Sequence, residues 1–211
     1  MIDAVVFDCD GVLVDSEPLA DEIWAQVLST YGYEMTVDDG AVCRGTSEAT
    51  TYAHCAGRAD LPPFEAFMTA SDSIRVPVYE ERLVSFHDAV ETVRLLAAKG
   101  VTMAVASSSR RHALEVKLRL AGLERYFDVI DGGDEVHHGK PAPDVYLEAA
   151  ARLGLAPEAC LAIEDADLGA ESAAAAGMRT VMVLRDGSVS SRYASVTEIT
   201  ADLITAWMWR F

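Results

Sequence analysis

Two aspartates separated by a single residue, Asp8 and Asp10, follow directly on the apolar run Ala4-Val5-Val6-Phe7 and lead into Gly11. An apolar run of that length, stopping at acidic residues and glycine, reads as a buried strand that emerges into a loop. Asp8 is therefore expected at the carboxyl end of a strand. Two carboxylates this close crowd one site, which is costly unless a shared proton or a cation relieves it. A hard, oxygen-seeking ion such as Mg²⁺ would do so with few protein ligands, keeping positions for water and a substrate phosphate. Asp-x-Asp-Gly is also an ordinary turn composition, so other parts of the chain must decide between the two readings.

Three later features each supply something that attack of a carboxylate on a phosphate would need. Ser107, with Ser108 and Ser109, follows the apolar run from Val101 to Ala106, where a hydroxyl and loop amides can hold phosphate oxygens. Lys140 opens the stretch Lys140-Pro141-Ala142-Pro143-Asp144, in which the prolines stiffen the backbone that carries its charge. Glu164-Asp165 follows the run from Cys160 to Ile163, so two more carboxylates emerge where a metal's surroundings could be completed. Taken singly, these are a loop, a helix-entry turn and a pair of solvated acids.

The elements that must position these groups are legible as an alternation. Apolar runs at Val101 to Ala106, Asp128 to Ile130, Cys160 to Ile163 and Thr180 to Leu184 are mostly separated by helical patterns, which predicts an α/β fold. Its core is a doubly wound, mainly parallel, Rossmann-like sheet covered by helices. Between Asp88 and Lys99, Ala89, Val93, Leu96 and Ala97 follow helical spacing, with Asp88 as the N-cap and Gly100 as the stop. Tyr146 to Leu153 reads as a helix closed by Gly154, and Ala170 to Ala176 as a small-residue helix packed closely on the sheet. From Ser16 to Leu83 the alternation breaks. Leu19, Ile23, Trp24, Val27, Leu28 and Tyr31 form one helical stripe, and Glu48 to Ala56 and Pro63 to Tyr79 also read as helix. The predicted organisation is an α/β core of residues 1–15 and 84–211, with an inserted helical cap at 16–83.

The net charge of −17 and pI near 4.5 would repel a nucleic-acid backbone or an anionic membrane face, so neither is expected as a partner. A phosphorylated small molecule would have to be drawn in by a metal ion and a few local cations. The three lysines, Lys99, Lys117 and Lys140, are informative for that reason. Met1-Ile2-Asp3 introduces no cationic segment or long apolar stretch, so a cytoplasmic location is expected. Cys9, Cys43, Cys55 and Cys160 have no metal-binding spacing and read as free thiols. His137 and His138 fall in a polar loop and read as solvated. A monomer is expected, with a dimer as the alternative, and Trp207 to Phe211 is expected to pack on the core.

Together, Asp8 and Asp10, then Ser107, then Lys140, then Glu164 and Asp165 resemble the four motifs of the haloacid dehalogenase superfamily, in their usual order and at the ends of predicted strands. The insertion resembles the helical cap of the branch that contains β-phosphoglucomutase and small sugar-phosphate phosphatases. This resemblance implies a Mg²⁺-dependent phosphatase acting on a small phosphorylated metabolite, a sugar phosphate in the first instance. It implies Asp8 as nucleophile and Asp10 as the acid and then the base. Mg²⁺ would be held by the Asp8 carboxylate, the Asp10 main-chain carbonyl and Asp165, with Glu164 as a further ligand. Ser107, Ser108 and Lys140 would hold the phosphoryl oxygens. In the cap, Arg44-Gly45-Thr46-Ser47 resembles the glycine-containing loop that closes over substrate, which makes Arg44 and Gly45 substrate-binding candidates, with Arg75 as another contact. Two departures are visible. Ala166 stands where many relatives carry a hydroxyl residue, and Phe86-His87-Asp88 replaces a frequent apolar-Pro-Gly turn.

Two other readings stand beside the phosphatase. A phospho-accepting receiver-like signalling module would share acidic strand ends, a hydroxyl and a lysine, but has no use for a cap-sized insertion. A β-phosphoglucomutase-type mutase would share every core residue. In the mutases that the chain resembles, an arginine follows the cap-loop serine and a histidine lies ten residues beyond the second motif aspartate. Here these positions are Glu48 and Ala20. A carboxylate at Glu48 would repel a second phosphate by roughly 1 kcal/mol even in high dielectric, which favours the phosphatase.

Overall fold

Ala4–Phe7 forms β1, and all four residues are buried. A strand covered on both faces has no polar side to present, so it reads as a continuous apolar run rather than an alternating one. After the Asp8–Asp10 loop the short strand β2, Val14–Asp15, follows. The computed structural model describes residues 2–43 and 47–209, and the chain divides into two compact units, Met1–Asp15 with Val84–Phe211, and Ser16–Leu83.

The second unit is helical: α1 at Glu17–Thr30, α2 at Val37–Cys43, α3 at Glu48–Ala56 and α4 at Phe64–Arg82. Leu19, Ile23, Trp24, Val27 and Leu28 make up the buried stripe of α1, and the Trp24 ring stacks on Phe67 of α4 at 5.4 Å. Ser47 caps α3 by accepting from the Thr50 amide. Asp39 of α2 accepts hydrogen bonds from Thr36 Oγ1, the Thr36 amide and Tyr33 Oη, and pairs with His54 of α3. These bonds, those of Thr36 foremost, hold its carboxyl well below the usual range.

The chain re-enters the first unit through β3, Val84–Ser85, which pairs antiparallel with β2. There follow α5 (His87–Ala98), β4 (Thr102–Ala106), α6 (Arg111–Leu120), β5 (Val129–Asp131), α7 (Asp144–Leu153), β6 (Cys160–Glu164), α8 (Asp167–Ala175), β7 (Arg179–Val183), β8 (Ala194–Val196) and α9 (Ala201–Trp209). The sheet order is β5-β4-β1-β6-β7-β8, with every pair parallel. Phe7 is in register with Val105 of β4 on one side and Ile163 of β6 on the other. The residues after these three strands therefore emerge together at the carboxyl edge of the sheet, where the connections leaving the neighbouring strands β1 and β6 run in opposite directions, toward β4 and β7.

The α5 cap departs from the sequence reading. Phe86 occupies the N-cap and the helix starts at His87. Asp88 lies inside the first turn, where its carboxylate accepts from Arg185 Nη1 at 3.0 Å and from the Ile199 amide at 2.9 Å. A charge-assisted bond to a guanidinium outcompetes a capping bond to the helix's own amides. Strands β2, β3 and β8 are absent from the sequence reading: β2 and β3, two residues each, are too short for a periodicity to register, and β8, Ala194-Ser195-Val196, has a serine at its centre and forms no apolar run. At the C-terminus Ile204 and Met208 are buried and Trp209 is 69% exposed, while Arg210 and Phe211 lie outside the described residues. No helix among the described residues is long and apolar enough to cross a membrane.

Helix α8 lies against β6 and β7 with Ala170 and Ala173 fully buried. Close approach of helix and sheet leaves no room for a longer side chain. Ala173→Leu is expected to destabilise the protein by about 1–3 kcal/mol through overpacking, seen in urea unfolding as a lower midpoint at unchanged slope.

Candidate active site

Asp8 continues β1 by one residue: its amide donates to the Ile163 carbonyl at 2.9 Å, so the sheet ladder itself fixes where its buried carboxylate starts. Glu164 closes β6 and is 1% exposed. Lys140 arrives from the segment between β5 and α7, which α8 ties down through a Ser172 Oγ bond to the Ala142 carbonyl at 2.6 Å. The Lys140–Pro141 peptide is cis. Lys140 Nζ donates to Asp8 Oδ1 at 2.7 Å, to Glu164 Oε1 at 2.5 Å and to the Ala106 carbonyl at 3.1 Å. Tyr146 Oη donates to the same Glu164 oxygen at 2.5 Å.

Burial is the main force raising the Asp8 carboxyl above the ordinary carboxylate range; Lys140 opposes it, and Glu164 and Asp10 add to it. Burial works against the charge of Lys140 too, but Asp8 and Glu164 outweigh it and hold its pKa well above that of a free lysine. The ammonium stays charged. Burial and Glu164 likewise push the Tyr146 phenol up, so it remains a hydrogen-bond donor.

A metal ion has a matching donor set here. Asp8, Glu164 and Asp165 each present one oxygen, and the three oxygens lie within 4.8 Å of one another. All are hard carboxylate oxygens, which suits Mg²⁺ rather than a soft metal. Two glycines make the space. A Cβ on Gly11, whose φ is +75°, would fall 1.8 Å from Asp165 Oδ2, and one on Gly169 would fall 2.0 Å from Glu164 Oε1. One lysine among three acids leaves the cluster short of positive charge.

The Asp10 carboxylate is not in that trio. Its Oδ1 accepts from Lys117 Nζ at 2.5 Å and its Oδ2 from Ser109 Oγ at 2.9 Å. Ser107 is buried, and its Oγ accepts from the Ser109 amide at 3.1 Å. A Cβ on Gly133 would meet the Ser108 carbonyl at 2.5 Å, so the loop after β5 packs directly on the serine loop. Asp8, Lys140, Glu164 and Asp165 thus come together, with Asp10 and the serine loop joined to each other. Arg44 and Gly45 lie outside the described residues. Arg75 is buried within its own helical unit, 2.6 Å from Glu48 Oε1 and 3.4 Å from Asp72 Oδ1, so its charge already answers two carboxylates.

Tyr146 escaped the sequence reading as a site residue, Ser109 was read only as part of the serine run, and Lys117 only as one of three informative cations, neither as a partner of Asp10. A signal for Lys117 was present: it falls three and four positions from Leu114 and Ala113 on the buried stripe of α6, where a lysine is out of place.

Residues 2–177 match the haloacid dehalogenase-like hydrolases, and the chain belongs to that family. It is 35% identical to the phosphorylated carbohydrates phosphatase of Thermotoga maritima, over 85% of this chain and 84% of that one. It is 33% identical to the fructose-1-phosphate phosphatase of Escherichia coli, over 85% and 95%. A similar stretch, 37% identical, spans only 18% of the long Arabidopsis thaliana protein Suppressor of Quenching 1. Among solved structures, a haloacid dehalogenase family hydrolase of Deinococcus radiodurans with bound phosphate and sodium superposes with a TM-score of 0.68 at 32% identity, covering 98% of this chain and 96% of that one.

The glycine contact gives a test. Gly11→Ala is expected to displace Asp165 and to lower hydrolysis of p-nitrophenyl phosphate on the order of 10²-fold. Gly100, at φ +72° with nothing within 4 Å of its added Cβ, is the control. Gly100→Ala carries the same backbone strain and is expected to lower the melting temperature while leaving turnover intact.

Proposed function

We propose that this protein is a phosphatase of small sugar phosphates that works through a phosphoryl group carried transiently on Asp8. The coarser statement stands by itself: a haloacid dehalogenase-like hydrolase with phosphatases among its relatives over most of their length is a phosphoric monoester hydrolase. The observation that carries the finer reading is the buried Asp8 carboxylate at the end of β1, held at 2.7 Å by the Lys140 ammonium beside Glu164 and Asp165.

An oxygen of Asp8 attacks phosphorus, and the bond to the ester oxygen breaks as Asp10 delivers a proton to that leaving oxygen. Water then attacks the acyl phosphate, Asp10 takes its proton, and phosphate leaves with Asp8 restored. One group serves both half-reactions because each transfers one proton in the opposite sense. Lys140 orients the nucleophile and screens its charge from the incoming phosphate, and the serine loop with its amides receives phosphoryl oxygens. Mg²⁺ would be held by Asp8, Asp165 and the Asp10 main-chain carbonyl, with Glu164 nearby; when bound it supplies the positive charge that carboxylate and phosphate dianion jointly lack.

The helical unit 16–83 is read as the cap that carries substrate selection. Relatives named for phosphorylated carbohydrates and fructose 1-phosphate support a phosphorylated sugar as substrate. The mutase reading is disfavoured at Glu48, a carboxylate where the resembled mutases carry an arginine, although Arg75 at 2.6 Å offsets part of its charge. The enzyme is read as cytoplasmic and monomeric, with a dimer as the alternative.

Asp8→Asn is expected to abolish phosphate release from every sugar phosphate tested while leaving the circular-dichroism spectrum and melting temperature near those of the parent. Retention of more than a few per cent of turnover would remove Asp8 as nucleophile. Excess EDTA is expected to stop turnover and Mg²⁺ to restore it; calcium, which takes more and longer oxygen contacts, is expected not to. Full activity in EDTA would contradict the metal assignment.

A further inference from the structure

The structure assigns to Lys117 a task beyond the family motifs: we infer that it is a positioning residue that fixes the orientation of the Asp10 carboxylate. The inference rests on the proposed acid–base role of Asp10. Lys117 is 3% exposed and sits on the buried face of α6 with Ala113, Leu114, Val116 and Leu118. Taking an ammonium out of water is expensive unless it is paired and hydrogen-bonded, and a leucine or methionine would fill the same space without that penalty. Simple packing therefore does not account for a charge at this position.

What accounts for it is a closed triangle of contacts. Lys117 Nζ lies 2.5 Å from Asp10 Oδ1 and 2.8 Å from Ser109 Oγ, and Ser109 Oγ lies 2.9 Å from Asp10 Oδ2. Each oxygen of the carboxylate is thus held by a different group, so its rotation about the Cβ–Cγ bond is restrained as well as its position. The Ser109 amide also bonds Ser107 Oγ at 3.1 Å, which ties the restraint to the serine loop. A group that gives a proton to one oxygen and later takes one from another depends twice on its alignment. Lys117 Nζ meets the site at the Asp10 carboxylate and Ser109 Oγ, so its effect on the reaction passes through Asp10.

The test compares Lys117→Met, Lys117→Arg, Asp10→Asn and the double variant Asp10→Asn/Lys117→Met, with p-nitrophenyl phosphate at saturating Mg²⁺ and enough enzyme to measure slow rates. Lys117→Met is expected to lower kcat on the order of 10²-fold, no more than Asp10→Asn does, with KM changed little. Lys117→Arg is expected to recover part of the loss, and Lys117→Met to add nothing in the Asp10→Asn background. If Lys117→Met fails to fold, Lys117→Gln takes its place in the same cycle. A kcat within twofold of the parent for Lys117→Met, with Asp10→Asn inactive, would overturn the inference and leave the role of Asp10 standing. Equal fractional losses from Lys117→Met in both backgrounds would overturn it too, since the effect would then not pass through Asp10. Near-parental turnover by Asp10→Asn would instead remove the acid–base reading on which the inference rests.

Discussion

The site depends on one buried ammonium shared by two carboxylates. Lys140 touches Asp8 and Glu164 at 2.7 and 2.5 Å, and all three side chains are nearly closed to water. Such a pair is weak evidence for stability, because the loss of hydration offsets most of the Coulombic gain. Its value lies in geometry. Without the lysine, the carboxylates that emerge from adjacent strands β1 and β6 would repel one another and turn outward or take up protons. With it, they stay close enough for a third, Asp165, to join them, and the cluster then carries an excess of negative charge that a divalent cation would relieve.

The fold explains why so few residues need to be specified. Parallel pairing of β4, β1 and β6 brings three strand ends to one edge, and each contributes one part: Ala106 leads to the serine loop, Phe7 to Asp8, and Glu164 to Asp165. Lys140 comes from outside these strands, and the Ser172–Ala142 bond secures the segment that carries it. Glycine supplies the remaining condition, since Gly11 and Gly169 leave the volume that the Asp165 and Glu164 carboxylates occupy.

Much of this was legible in the sequence because the decisive strands are buried on both faces. Their runs are almost wholly apolar, and each leads directly into a residue of the candidate site. Helices α5, α7 and α8 of the core were legible from spacing and from stops such as Gly154, which adopts the left-handed conformation at the end of α7, while α6 and α9 were not read. What escaped were partnerships across long separations. Asp88 reads as a cap until Arg185, nearly a hundred residues on, is placed beside it. Glu48 reads as a lone charge until α3 and α4 bring Arg75 to it. Lys117 reads as one of three local cations without a partner named until α6 brings it to Asp10 and Ser109. No local pattern encodes these contacts, since they exist only once the elements have packed.

The account turns on whether phosphate passes through Asp8 itself. The direct measurement is a rapid acid quench of the enzyme during turnover of a good substrate, followed by borohydride reduction and peptide mass spectrometry, which converts an acyl phosphate on aspartate to homoserine. Homoserine at position 8, dependent on both substrate and Mg²⁺, is the expected result. Its absence at position 8 under conditions of steady turnover, or its appearance at another carboxylate, would contradict the mechanism.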